Sequence, residues 1–316
     1  MTNPARIDVH QHLIPPEQRR AMSGRAAAVG WPAPVWDVRS AIAMMDRRSI
    51  ATGLLSFAAP VGAPDDPAGA RTTARKVNEY TAELVKDRPE RFGHFAVLPL
   101  PDVDGALAEA AYALDELKAD GVMVLSNAHG RYPGDPAFEP LWAELDARAA
   151  VVLVHPTGPP GTALPDLPGP LVDFPYDTTR AALHLVVNGV PRRHPRVRMI
   201  LPHGGGFVPY AAQRLACAGR LRPGVTPEDV LADLRRFYFD TAITTGPAAL
   251  PSLMAFAAPG RVLYGSDFPM VPEEWGTDFD AGLDSYPHWT AGQLHAVNRG
   301  NAESLFPRHV AAAYPA

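Results

Sequence analysis

The stretch Ile7-Asp8-Val9-His10-Gln11-His12 joins an apolar run of high β propensity to two histidines that are separated by one residue. Residues i and i+2 of a β-strand point to the same side, so His10 and His12 are predicted to point inward together at the carboxyl end of a strand. Two neutral imidazoles that converge on one point form half of a metal site. A His-x-His pair is also frequent by chance, so this interpretation depends on the rest of the chain.

Short apolar runs alternate with longer helical patterns along the 316 residues. The predicted strands are residues 6–10, 52–57, 93–98, 121–125, 151–155, 198–202, 237–240 and 262–264. The predicted helices are residues 38–48, 72–87, 104–119, 137–149, 178–194, 208–218, 227–235 and 247–257, followed by helical stretches at 291–299 and 302–313. Continuously apolar strands that alternate with helices indicate a buried parallel sheet, and eight such units predict an α/β fold, a (β/α)8 TIM barrel. An open doubly wound sheet is the alternative, although no Gly-x-Gly-x-x-Gly turn follows the first strand.

The composition limits the class of protein. The hydrophobic fraction is 47% and the 35 prolines are spread through the connections, so residues 1–316 are predicted to form one domain. The net charge is −5 and no Lys/Arg-rich run stands out, which argues against nucleic acid or a membrane surface as a partner. Cys217 is the only cysteine, which excludes an intrachain disulfide bond. No signal peptide or membrane-spanning apolar run is recognisable, so a cytoplasmic protein is expected.

The carboxyl ends of the predicted strands carry the remaining metal ligands. His155 ends the fifth strand and Asp267 follows the eighth. Taken singly, His155 fits a core histidine and Asp267 fits a turn residue. In a barrel, however, all these strand ends share one face, so three histidines and one carboxylate are predicted to hold one divalent metal with an open position for water or substrate. The fourth strand ends without Lys, Cys or Glu, which argues against a bridged second metal.

His203 ends the sixth strand and precedes three glycines. The glycines are expected to let a substrate approach the backbone closely, and the helix that follows offers N–H groups to an anion. The alternative is that these glycines only permit tight packing between strand and helix. Because histidine titrates near neutral pH, we interpret His203 as an acid/base beside the metal.

Together these motifs resemble the amidohydrolase superfamily and, within it, the branch of aminocarboxymuconate-semialdehyde decarboxylase. The motifs are Ile7-Asp8-Val9-His10-Gln11-His12, Val154-His155-Pro156, His203-Gly204-Gly205-Gly206, Tyr264-Gly265-Ser266-Asp267-Phe268-Pro269 and Asn298-Arg299-Gly300-Asn301-Ala302. The segment from Asp173 to Ala181 looks like the 6-methylsalicylate-type decarboxylases of this branch.

The resemblance implies a single zinc, sometimes manganese, held by His10, His12, His155 and Asp267. It implies that His203 is the catalytic histidine and that the chain forms a homodimer. The arginine that binds the substrate carboxylate in the semialdehyde decarboxylase cannot be placed from spacing. The candidates for that role are Arg25, Arg39, Arg47, Arg131 and Arg180.

The expected activity is the non-oxidative decarboxylation of a small carboxylic acid, an aromatic one such as a salicylate or resorcylate relative. A divalent cation fixes the carboxylate and acts as a Lewis acid, while Asp267 is expected to deliver a proton to the ring with help from His203. The residues expected to contact the substrate are Trp36, Asn127, Phe174, Tyr176 and Phe268. Two alternatives stay open: a metal-dependent hydrolase of a lactone, amide or ester, and an inactive barrel that only binds a metal or ligand.

Overall fold

The structure is a computed structural model that describes residues 5–28, 30–63, 65–161, 164 and 166–310. Within these residues, eight parallel strands lie in chain order. They are β1 Arg6–His12, β2 Ile50–Ser56, β3 Phe92–Val97, β4 Gly121–Leu125, β5 Val151–His155, β6 Arg198–Leu201, β7 Tyr238–Asp240 and β8 Val262–Leu263. Parallel strands need a crossover between them, and helices on the outside of the sheet provide it.

Backbone hydrogen bonds join the first strand to the last. The Val9 amide donates to the Tyr264 carbonyl at 3.0 Å, and the Asp267 amide donates to the His10 carbonyl at 2.8 Å. The sheet therefore closes on itself as a (β/α)8 barrel, which confirms the predicted fold. Every residue of β1 and β2 is buried, as expected of strands that are covered by side chains on one face and by helices on the other.

The helices surround the barrel. They are α1 Arg19–Ala28, α2 Val38–Arg47, α3 Pro67–Asp87, α4 Val103–Asp115, α5 Glu139–Ala147, α6 Gly169–Val187, α7 Val190–Arg193, α8 Val208–Ala216, α9 Pro227–Leu234, α10 Ala249–Phe256, α11 Glu273–Asp284, α12 Gln293–His295 and α13 Asn301–Leu305. None of the helices in the described part of the chain has the length and apolar character that crossing a membrane requires.

The helix predictions fail where the local pattern is weak. No helix was predicted at α1 or α11; Met22 is the only buried residue of α1, so that helix has almost no apolar stripe to recognise. Helix α6 begins at Gly169, well before the predicted start at residue 178, although Pro175 lies inside it. An internal proline ordinarily argues against a helix. Of the stretch predicted at 302–313, α13 ends at Leu305, and the part after residue 310 lies outside the described residues.

Candidate metal centre

Four side chains meet at the carboxyl end of the barrel. The ligand atoms of His10, His12, His155 and Asp267 all lie within 4.8 Å of one another. Nε2 of His10 lies 3.1 Å from Nε2 of His12, and Nε2 of His12 lies 3.0 Å from Oδ1 of Asp267. All four residues are buried. The predicted ligand set therefore converges on a single point, and it forms a divalent metal site.

The strands explain this convergence. The two histidines of β1 are two residues apart and share its inward face, while His155 is the last residue of β5. Asp267 lies just beyond β8, and its bond to the His10 carbonyl anchors it against β1. Each ligand thus stands on a strand or beside one, where backbone pairing limits its movement.

Each ligand histidine has an oxygen atom close to its other ring nitrogen. Nδ1 of His10 lies 2.9 Å from Oδ2 of Asp240, and Nδ1 of His12 lies 2.9 Å from Oγ of Ser56. Nδ1 of His155 lies 2.8 Å from the Pro156 carbonyl oxygen. Burial lowers the pKa of His10, but Asp240 and Asp267 outweigh burial and raise it to about 9, so this ring gives up its Nε2 proton when a metal binds. In the neutral rings these oxygens favour the proton on Nδ1 and leave the lone pair of Nε2 directed at the centre.

The roles of Asp240 and Ser56 were not predicted. Asp240 was visible in the sequence as a polar residue at the end of the seventh strand, but nothing there showed which side chain it would meet. The structure places it on β7, fully buried, with one oxygen toward His10. Its other oxygen accepts the backbone amide of His203 at 3.0 Å. A single carboxylate therefore positions both a metal ligand and the neighbouring histidine.

The donor set fits a divalent cation. Burial lowers the pKa of His12 and holds that of His155 well below its usual value, so both rings are neutral, the form that binds metal. Nε2 of His155 is buried and has no hydrogen-bond partner among the described residues. A buried acceptor without a partner costs about 1–3 kcal/mol, and a cation at the centre removes that cost.

Asp267 is the anionic member of the set. Burial raises its pKa, but the charge of His10 and hydrogen bonds with His12 and His203 outweigh burial and hold the pKa well below the usual value. Three imidazoles and one carboxylate are ligands that divalent metals such as zinc accept.

His203 lies beside the centre, in contact with Asp267. Nε2 of His203 is 3.1 Å from Oδ2 of Asp267, the oxygen that does not face His12. The ring lines the cavity described below, so a bound molecule reaches both residues of this pair. This is the position that an acid/base next to the reacting atoms requires.

The three glycines after His203 pack closely against the protein on the side where a Cβ would lie. A Cβ on Gly204 would lie 2.5 Å from Cγ2 of Thr244, and one on Gly205 would lie 2.7 Å from the Phe239 ring. A Cβ on Gly206 would collide with the Pro175 carbonyl oxygen of α6. The space beside each glycine is therefore filled by protein, and all three have positive φ. Tight packing accounts for this run.

A cavity of about 260 Å³ opens onto the centre. His155, His203 and Asp267 form its floor. Its walls are mostly apolar and come from α1, α6 and the loops: Met22, Ala26, Ala28, Trp31, Pro34, Ala58, Pro60, Pro156, Pro170, Phe174, Ile243 and Met270. Such a space suits a small, largely apolar molecule with one polar end directed at the metal.

Arg25 of α1 is the one arginine or lysine in the described lining of this cavity. It donates a hydrogen bond to the Pro60 carbonyl at 3.3 Å, and burial lowers its pKa. The other arginine candidates lie elsewhere: Arg47 is paired with Glu273, Arg131 with Asp135, Arg180 covers the Tyr132 ring, and Arg39 lies on the outer surface of α2. The structure thus distinguishes Arg25, which lines the cavity, from the other candidate arginines, which their spacing in the sequence could not do.

Of the predicted substrate contacts, only Phe174 lines the cavity within the described residues. Trp36 is 3% exposed and packs in the core, and Trp31 takes the place in the lining that was expected of it. Phe268 is also buried; its backbone carbonyl accepts the His12 amide at 2.7 Å. Tyr176 is 42% exposed on the outer side of α6, against Arg180.

Asn127, the fifth predicted contact, holds the structure behind the cavity instead of lining it. Its side-chain amide donates to Oδ2 of Asp177 at 2.8 Å and to the Gly158 carbonyl at 3.0 Å. Asp177 of α6 is fully buried and also accepts from Ser126 and, at 2.5 Å, from Tyr132. This network joins α6 to the end of β4 and to the loop after His155.

Comparison with known proteins identifies the family of this chain. The family model described as Amidohydrolase matches residues 7–308. The chain is 40% identical over 318 residues to the 6-methylsalicylic acid decarboxylase of Penicillium expansum, covering 96% of this chain and 97% of that protein.

Solved structures point the same way. A crystal structure of an amidohydrolase II superposes with a TM-score of 0.86 at 30% identity, over 96% of this chain and 99% of that one. A crystal structure of 2,6-dihydroxybenzoate decarboxylase complexed with 2,6-dihydroxybenzoate superposes with a TM-score of 0.82 at 25% identity, again over 96% and 99%. The chain belongs to the amidohydrolase family, in the decarboxylase branch that its sequence motifs predicted.

Proposed function

We propose that this chain is a metal-dependent, non-oxidative decarboxylase of ortho-hydroxybenzoates and that 6-methylsalicylate is its substrate. In that reaction 6-methylsalicylate and one proton give 3-methylphenol and CO2. The proton is added to the ring carbon that bears the carboxylate. The electron pair of the bond to the carboxylate then returns to the ring as CO2 leaves.

The observation that carries the proposal is the pairing of a metal site with an apolar cavity. Three histidines and Asp267 converge at the floor, and apolar side chains form most of the walls. An aromatic acid matches this arrangement because its carboxylate faces the cation while its ring faces apolar groups. A divalent cation at this centre would supply the Lewis-acid attraction that holds the carboxylate and the ortho hydroxyl.

His203 and Asp267 are the catalytic residues in this proposal. We infer that a proton is held between His203 Nε2 and Asp267 Oδ2, which are 3.1 Å apart. The low pKa of Asp267 keeps its carboxylate ionised between turnovers, so that it accepts the hydrogen bond of this pair from Nε2 of His203. The pair delivers the proton to the ring carbon and is reprotonated by water.

Arg25 completes the site for an anionic substrate. Its guanidinium lines the cavity and has no carboxylate partner among the described residues. A charged donor in a mostly apolar cavity favours an anion over a neutral molecule of the same shape. We propose that Arg25 donates a hydrogen bond to an oxygen of the bound acid, and that Phe174 packs against the ring.

The test is to incubate the purified, metal-loaded protein with 6-methylsalicylate, 2,6-dihydroxybenzoate and salicylate. The expected result is release of CO2 and of 3-methylphenol from the first compound. The same preparation is given a panel of lactones, esters and amides in a pH-stat. Proton release there without CO2 from any acid would replace the decarboxylase with the hydrolase, and no turnover of either panel would favour an inactive barrel.

We propose zinc as the metal, with manganese as the alternative. Three of the four ligands are imidazoles. Zinc binds such nitrogen-rich sites well, whereas manganese prefers sites made mostly of oxygen ligands. Elemental analysis of the protein as purified from cells decides between them. One zinc per chain is the expected result.

The chain is further proposed to be one domain, a homodimer and a cytoplasmic protein. The barrel closes between β1 and β8, so we expect residues 1–316 to unfold in a single cooperative transition.

The apolar side chains of Leu171, Tyr210 and Trp275 are 54%, 89% and 44% exposed beside the barrel mouth, and a second copy would cover them. Light scattering tests the dimer. Cys217 is an exposed free thiol, which suits a reducing compartment, and cell fractionation tests that location.

A further inference from the structure

A second cavity lies at the amino-terminal end of the barrel, on the face opposite the metal centre. Its volume is about 400 Å³. It is formed by residues that enter β5, β6, β7 and β8 and by the connection after α7, among them Arg196, Arg198, Arg236, Tyr238 and Arg261. No residue of this face takes part in the proposed reaction.

The lining is strongly basic. Four of these residues are arginines, and no Asp or Glu belongs to the described lining. The whole chain has a net charge of −5, so the cluster runs against the overall charge of the protein. A one-signed cavity with low-dielectric walls concentrates ions of the opposite sign.

Most basic residues around this cavity already have carboxylate partners. Arg193 and His194 both bond to Glu139, at 2.7 Å and 2.8 Å. Arg196 at the rim lies 3.3 Å from an oxygen of Asp146. The carboxylates of the protein compensate the charges of these residues, so an external anion is not needed there.

The arginines deeper in the cavity are different. Arg198 and Arg261 have no carboxylate within ion-pair distance in the described part of the chain, and the closest approach of Arg236 to Asp233 is 4.0 Å. Nε of Arg198 is buried without any hydrogen-bond acceptor there. The Arg261 guanidinium lies 4.2 Å from the centre of the Tyr238 ring, which holds it in place.

We propose that this cavity binds a small phosphate-type oxyanion through Arg198, Arg236 and Arg261. Guanidinium groups bind phosphate oxygens through paired, charge-assisted hydrogen bonds. An oxyanion in the cavity neutralises Arg198 and Arg261, which have no carboxylate partner among the described residues. The cavity is larger than phosphate alone requires, so it also has room for an organic group attached to the phosphate. The bound anion is therefore either free phosphate or the phosphate group of a small organic molecule.

Calorimetric titration of the metal-loaded protein with inorganic phosphate and with phenyl phosphate tests the site and distinguishes its two sources. We expect saturable binding to the wild type and a loss of about tenfold or more in Arg261→Gln and Arg198→Gln, the effect of removing one charge-assisted hydrogen bond. Arg193→Gln is the matched control, because it removes the same charge from the same basic region but from an arginine paired with Glu139. Its affinity should stay within about twofold of the wild type. Tighter binding of phenyl phosphate indicates an organic ligand, and equal or weaker binding indicates free phosphate.

Phosphate can also reach the metal, so decarboxylation is measured in parallel. If phosphate binds Arg261→Gln as tightly as the wild type, and over the same concentration range in which it inhibits decarboxylation, then phosphate binds at the metal centre. That result would overturn the proposal. Equal weakening in all three variants would mean a general charge effect and would overturn it too, as would the absence of saturable binding to the wild type. Circular dichroism and a retained metal content establish that each variant is folded.

Discussion

The metal centre and the wall of the cavity above it are in contact, yet they are built in different ways. The centre stands on strands, and the second ring nitrogen of each ligand histidine lies within 2.9 Å of an oxygen of Asp240, Ser56 or Pro156. The wall comes from α1, α6 and loops, and most of its side chains are apolar. Chemistry and substrate choice are therefore separable here. Changes in the centre should alter metal content or turnover, and changes in the wall should alter substrate affinity.

Removal of a metal ligand should have the largest effect. His155→Ala deletes the ligand on β5, so we expect metal content to fall far below one ion per chain. Decarboxylation should fall by about 10³-fold or more, because a bound cation supplies several kcal/mol of transition-state stabilisation. Elemental analysis and the rate of CO2 release measure the two effects. Full metal content in the purified variant would remove His155 from the ligand set.

His203→Gln should separate turnover from metal binding. His203 touches Asp267 but is not one of the four ligands. We expect metal content to stay near that of the wild type while kcat falls by about 10²–10⁴-fold, the usual contribution of a general acid or base. His288→Gln is the control, since His288 is an exposed histidine. A kcat within a few-fold of the wild type would disprove the proposed role.

Asp240→Asn tests the support of the centre. Asn keeps an oxygen for His10 Nδ1 but loses the negative charge, so metal affinity or activity should fall by about 10–100-fold. Ser56→Ala removes the neutral partner of His12 and should cost less. Competition with a chelator measures both affinities. If Ser56→Ala proved the more damaging change, the carboxylate would not be the main support.

Arg25→Gln should have the smallest effect of the four and should appear in KM. Loss of a charged donor to the substrate predicts a rise in KM of about tenfold or more, with kcat and metal content nearly unchanged. Arg20→Gln on the exposed side of the same helix is the matched control. A fall in kcat with unchanged KM would place Arg25 in the centre rather than in the wall, and the separation of the two regions would fail.

The same division explains what could be predicted from the sequence. His10, His12, His155 and Asp267 were found because each follows an apolar run, and in a barrel the carboxyl ends of all such runs meet. The wall was largely missed. Trp36 and Trp31 lie five residues apart in one irregular segment, and no period indicates which ring faces the cavity. Helix α1 has a single buried residue, so the pattern that reveals helices is absent there.

Asp240 is a residue whose position, but not its contacts, could be predicted from the sequence. Its place at a strand end was predictable, but its partners were not, because hydrogen bonds across the barrel connect residues far apart in sequence. Asp177 is similar: it lies in a segment that resembles related decarboxylases, yet its bonds to β4 depend on where α6 begins.

The contact between Gly206 and the Pro175 carbonyl limits how this enzyme can change its range of acids. With no side chain between them, the turn that carries His203 and the helix that carries Phe174 are in direct backbone contact, and the Phe207 amide donates a hydrogen bond to Thr179 Oγ1 of that helix at 2.8 Å. An outward movement of that helix to admit a bulkier ring should therefore also displace His203, the proposed proton donor. New specificities in this lineage should therefore arise by trimming or enlarging individual side chains on a backbone that stays still.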